Sequence, residues 1–157
     1  MRPFAIVLGM TLACAGRQEG SVGTEAKVSA RGQFEVKVTP QPADDSAAGP
    51  FGRLFIDKRF HGDLQGTSKG QMLAANTAVE GSGAYVAFEV VSGTLKGKTG
   101  SFILQHQGTM QKNVPRMEVT VVPDSGTGEL TGIAGAMRII IAGGKHSYEL
   151  AYTLGGS

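Results

Sequence analysis

The sequence predicts an all-β chain with little helix, folded as an eight-stranded antiparallel closed β-barrel. Three observations carry that prediction. Apolar and polar residues alternate at a period of two along most of the stretch from Gln33 to Leu154, which sends successive side chains to opposite faces of a strand. The 24 glycines, against 7 Phe, 3 Tyr and no Trp, fall between apolar runs without the period of three that collagen needs. No stretch sustains a 3.6-residue period over three turns.

Each element follows in order. Gln33–Thr39 is a first strand with Phe34, Val36 and Val38 inward. Pro40, Pro42 and Pro50 then impose an irregular loop, because proline removes ladder donors and fixes φ. Strands two and three are expected at 53–61 and 66–75, joined at Gly62-Asp63, and strand four at 84–92, closed by Ser92-Gly93. Strand five, 99–110, follows Lys96-Gly97-Lys98, and strand six, 116–122, follows Asn113-Val114-Pro115. Residues 123–135 read as a glycine-studded connection making a tight crossover at the barrel mouth. Strands seven, 136–142, and eight, 145–154, share the hairpin Gly143-Gly144. Closing the sheet removes its edges, which matters for a run as flat and apolar as Arg138-Ile139-Ile140-Ile141. Strands four and seven are partly apolar on both faces. A second apolar surface is therefore expected outside the barrel, covered by the N-terminal extension or by another subunit in a homo-oligomer.

The 157 residues divide into a leader at 1–14, a flexible linker at 15–32 and the barrel domain at 33–155. Met1-Arg2 and the apolar run Pro3–Ala13 have the length of a secretory h-region, too short to span a bilayer as a helix. Thr11-Leu12-Ala13-Cys14 resembles a bacterial lipobox, although Thr11 stands where leucine is preferred. The expectation is an exported protein, periplasmic or membrane-anchored through lipidation of Cys14, and cytoplasmic if the leader does not function. A single cysteine rules out an intrachain disulfide. His61, His106 and His146 have no metal-ligand spacing, so neither a metal nor a cofactor is expected. Basic and acidic residues, 15 and 13, are well mixed, and the net charge of +2 offers no stripe for nucleic acid.

Several segments together resemble a known family. Phe60–Thr67, Gly83–Glu89, Gly93-Thr94-Leu95, Gly100–Thr109, Val121–Leu130 and Gly144–Tyr148 are similar to a bacterial family of unassigned function with an allene-oxide-cyclase-like β-barrel. The resemblance covers about residues 33 to 154, with the motifs in the family's order. It implies an eight-stranded antiparallel barrel with a central cavity and implies no activity. Cyclases on such a barrel shape a reactive apolar substrate, an analogy at the level of fold alone.

Polar groups on apolar faces mark the candidate site. Tyr85, Ala87, Glu89 and Val91 share one face of strand four; Phe102, Leu104 and His106 share one face of strand five. His146, Tyr148, Leu150 and Tyr152 share a face of strand eight, which should close against strand one. A carboxylate beside an imidazole in a low-dielectric lumen is an acid/base pair in the making. Glu89, His106 and Tyr148 are accordingly the candidate catalytic groups, and Tyr85, Phe102, Leu104, His146 and Tyr152 the candidate ligand-binding ones. The same residues also suit a structural hydrogen-bond network plugging a filled barrel. His61, on a face with Asp57 and Arg59, reads as a solvated strand end. The 124–135 glycines fit neither phosphate-binding motif, since no helix follows.

Three functions stay open: a barrel binding a small apolar or amphiphilic ligand, an isomerase or cyclase of the same shape, and a structural or oligomeric interaction module. In the second, Glu89 would move a proton or stabilise positive charge while His106 or Tyr148 orients an oxygen. A lumen of roughly 300 Å³ or more favours a ligand, and a filled one favours structure.

Overall fold

The computed structural model describes residues 27–42 and 51–155. Eight strands, all antiparallel to their neighbours, run in chain order around a closed barrel. They are β1 Val28–Pro40, β2 Phe51–Gly62, β3 Leu64–Asn76, β4 Gly83–Leu95, β5 Lys98–Gln111, β6 Val114–Val121, β7 Ile133–Ala142 and β8 Lys145–Leu154. The one helical piece described is a 3-10 turn at Gly128–Leu130. Closure comes from β1 pairing with β8 as well as β2, with Ala30 opposite Leu150 and Phe34 opposite His146. β1 starts at Val28, so Val28–Gly32, expected in the linker, are barrel wall. Cys14 and the rest of the expected leader lie outside the described residues. No described helix is long and apolar enough to cross a membrane.

Strand alternation divides inside from outside, and chain direction divides the two ends. The turns at Gly62-Asp63 and Lys96-Gly97 and the connection 122–132 lie at one end. The C-terminal ends of β1, β3, β5 and β7 lie at the other. The first end is sealed: Leu64, Leu95, Leu130 and Ile133 are buried there and join one core with Phe60, Phe102, Leu104, Leu150 and Tyr152.

The 122–132 connection belongs to this sealed end, not to the mouth where the sequence suggested it. Its physical role is to cover an edge. β6 pairs only with Leu104–Gln111 of β5, and β6 meets β7 at the single pair Thr120–Ala136. The rest of β5 is served by the connection. Ile103 N–H donates to Ser125 Oγ at 3.0 Å, Thr99 N–H to Glu129 Oε2 at 2.8 Å, and the Ser101 and Thr127 hydroxyls meet at 2.7 Å. The β5 N–H groups that a strand would have paired are thus satisfied by side chains, and the Ser101 and Ile103 carbonyls by the backbone N–H of Thr127 and Val122.

The outer wall does carry an apolar surface. Phe55, Leu73, Val86, Phe88 and Val90 are exposed, and the register sets Phe55, Gln71 and Phe88 in one row and Leu73 beside Val86 in the next.

Candidate functional site

Halfway up the barrel the inward faces stop being apolar. β2 contributes Lys58 between Ile56 and Phe60, β3 Ser68, β4 Glu89 and β5 His106, all buried. Glu89 is the hub. Lys58 Nζ donates to its Oε1 at 2.6 Å, Ser68 Oγ to its Oε2 at 2.6 Å, and His106 Nε2 meets Oε1 at 2.7 Å. Space for the hub is made across the ladder by Gly70, the residue paired with Glu89. A Cβ on Gly70 would stand 2.6 Å from the Cβ of Glu89, so any side chain there would drive the carboxylate off its donors.

Burial alone pushes the Glu89 carboxyl up; the His106 hydrogen bond, the charges of Lys58 and His106 and the Lys58 contact outweigh it and hold the pKa down at about 2. Glu89 is therefore ionised and accepts from three donors. Lys58 also lies 5.0 Å from the Phe34 ring centre and 5.9 Å from that of Phe60, so its charge rests on two aromatic faces as well as on the carboxylate.

Among the described residues, the barrel is open above this layer. A cavity of about 170 Å³ is walled by Phe34, Val36, Val38, Ile56, Met72, Met117, Ile139 and Ile141, with Lys58, Tyr85, His106 and His146 as its polar members. Burial grades from floor to mouth: His106 and Lys58 are 3% and 5% exposed, Val38 and Ile141 44% and 61%. Larger depressions, of about 470 Å³, lie on the outer wall, one of them over Lys37, Phe55, Asp57 and Lys69. Their side chains face solvent, so only the inner space has buried chemistry at its base.

The sequence-derived candidates separate into two groups. Glu89 and His106 are in direct contact, and Tyr85 and His146 line the vestibule, the His146 ring 5.2 Å from that of Phe34. Burial, then the charge of Glu89, pushes the Tyr85 hydroxyl up. Tyr148 points inward but does not join them. Its hydroxyl accepts from Leu64 N–H at 2.9 Å and donates to His61 C=O at 3.2 Å, clamping the β2–β3 turn. Phe102, Leu104 and Tyr152 sit in the sealed core, away from the cavity lining. His61 is exposed, 3.8 Å from Glu35. Lys58 and Ser68 were not among the candidates, although Lys58 breaks the apolar face Leu54, Ile56, Phe60 just as Glu89 breaks its own. Among the described residues no three His, Cys, Asp or Glu side chains converge as a metal site would require.

The profile of a family described as a protein of unknown function, DUF3224, matches residues 30–152. The chain belongs to this family. A crystal structure of a DUF3224 protein of unknown function from Shewanella oneidensis MR-1 is 45% identical, with a TM-score of 0.77, and the match covers 83% of this chain and 100% of that one. No curated protein matches. The DUF3224 match coincides with the barrel and includes every residue of the Glu89 cluster.

Proposed function

We propose that this DUF3224 barrel binds a small, largely apolar molecule in its open upper half, with the buried polar layer as the anchor at the bottom. One observation carries the reading: an apolar vestibule, open at one end among the described residues, terminates on a buried, ionised cluster. Taking Lys58 and Glu89 out of water costs several kcal/mol per ion, and the sealed core below already closes the barrel. A structural plug needs no opening above it.

Size sets the class. About 170 Å³ is short of the roughly 300 Å³ that encloses a drug-sized ligand. Engineered apolar cavities of about 150 Å³ hold one benzene molecule, so a single ring or a short branched chain fits. Titration with toluene, followed by methyl NMR, tests the reading. Shifts should move at Met72, Met117 and Ile139 and stay put at Leu104 and Leu150. Unmoved vestibule methyls at the solubility limit of toluene contradict it.

Isomerase chemistry is the second reading, favoured by His106 touching both the carboxylate and the vestibule. Glu89 would then hold charge and ring orientation without shuttling protons, since its oxygens already accept from three donors and a carboxyl with a pKa of about 2 is a weak base.

A further inference from the structure

We infer that the vestibule selects a neutral, hydroxyl-bearing molecule of about one aromatic ring in size, whose O–H donates to His106 Nδ1. This rests on the binding reading and sharpens it to a ligand class.

An ionised carboxylate only accepts hydrogen bonds, so the 2.7 Å contact of His106 Nε2 with Glu89 Oε1 places a proton on Nε2. Lys58 already matches the charge of Glu89 at 2.6 Å. A second cation on the ring would leave surplus positive charge where Lys58, Glu89 and His106 are 5%, 1% and 3% exposed, a state that burial penalises. With the imidazole in its neutral form, Nδ1 carries a lone pair.

That lone pair has no donor. Nδ1 meets no hydrogen-bond partner among the described residues, and His106 has no interaction beyond those named. Yet no fully buried side-chain nitrogen or oxygen among them lacks a partner. Nδ1 must then touch open space, and the open space at His106 is the vestibule. A lone acceptor at the base of an apolar pocket favours a ligand with one O–H over the same shape without it. An anion is disfavoured. Lys58 is committed to Glu89 and lies over two rings, so a ligand carboxylate would add an unmatched negative charge beside Glu89.

Phenol, toluene and benzoate separate these outcomes on the full chain at neutral pH, by calorimetry and by the imidazole ¹⁵N signals, with His106 assigned through His106→Gln. Phenol and toluene have nearly the same shape. Phenol should bind about tenfold tighter than toluene, the worth of one hydrogen bond at the upper end of the neutral range, and should shift His106 Nδ1, which toluene leaves in place. Benzoate should bind more weakly than phenol. Toluene matching phenol, benzoate exceeding it, or an unmoved Nδ1 signal with phenol bound would overturn the inference while leaving a binding vestibule. Failure of all three probes to bind would overturn the binding reading, and this inference with it.

Discussion

The sealed half of the barrel and the open half each bury a polar side chain, and they satisfy it differently. Tyr148 gives both hydrogen-bonding functions of its hydroxyl to the backbone of the β2–β3 turn, over Gly32, whose missing side chain makes the room. Its ring packs edge-on against Phe60 at 5.7 Å. Nothing is left over, so the group serves the fold. The Glu89 cluster is as deeply buried, yet one of its members, His106, keeps a ring nitrogen open toward a cavity. Burial of a polar group therefore does not separate a structural role from a functional one. The count of unmet hydrogen-bonding positions, and where they face, does.

Substitutions can break that contrast. The largest effect is expected at Glu89. Glu89→Gln leaves Lys58 buried without a counter-charge and should cost about 3–5 kcal/mol in urea unfolding. The double variant Lys58→Met/Glu89→Gln should recover much of the loss, because the charge is removed with its partner. A double variant no more stable than Glu89→Gln alone would mean that the pair does not act as a unit. Truncation separates the halves next. Leu104→Ala, in the sealed core, should cost about 2–5 kcal/mol, and Val38→Ala, at the mouth, under about 1 kcal/mol by thermal unfolding. Equal losses would erase the distinction between a packed and an open half.

Acid should read the same cluster. The Glu89 pKa is lowered from 4.5 to about 2 on folding. Its contribution is present above pH 4.5 and disappears as pH falls through about 2, and it amounts to about 3 kcal/mol. The Lys58→Met/Glu89→Gln variant should show a flatter stability profile across that window. A smaller effect than at Glu89 is expected at the clamp: Tyr148→Phe strands the Leu64 N–H and should cost about 1–3 kcal/mol. It should leave toluene and phenol affinity as they were, since Tyr148 does not line the vestibule. A changed affinity would join the two halves energetically.

Much of this architecture was legible in the residues. Alternation and glycine punctuation located all eight strands, because a strand with one buried face must repeat every two residues. The same rule exposed Glu89 and His106, each a polar residue inside an apolar series. It applied equally to Lys58 between Ile56 and Phe60, which went unread because the opposite face, with Asp57, Arg59 and His61, looked like the polar one. Ser68 had no such contrast, lying between Gly66 and Gly70. Height in the barrel was the part that alternation does not encode. Tyr148 and His146 share a face of β8, yet register sets Tyr148 opposite Gly32, beside the clamped turn, and His146 opposite Phe34, at the vestibule. Phe102, Leu104 and Tyr152 were placed in the cavity for the same reason. The placement of the 122–132 connection did follow from strand parity, since even-to-odd turns all fall at one end.

The protonation state of His106 decides whether the vestibule floor can accept a hydrogen bond from a ligand. Long-range ¹H–¹⁵N correlation at neutral pH, on the ligand-free protein, reports which ring nitrogen carries the proton. The expected result is a neutral ring protonated at Nε2, with Nδ1 showing the shift of a bare lone pair. A ring protonated at Nδ1, or at both nitrogens, would contradict it.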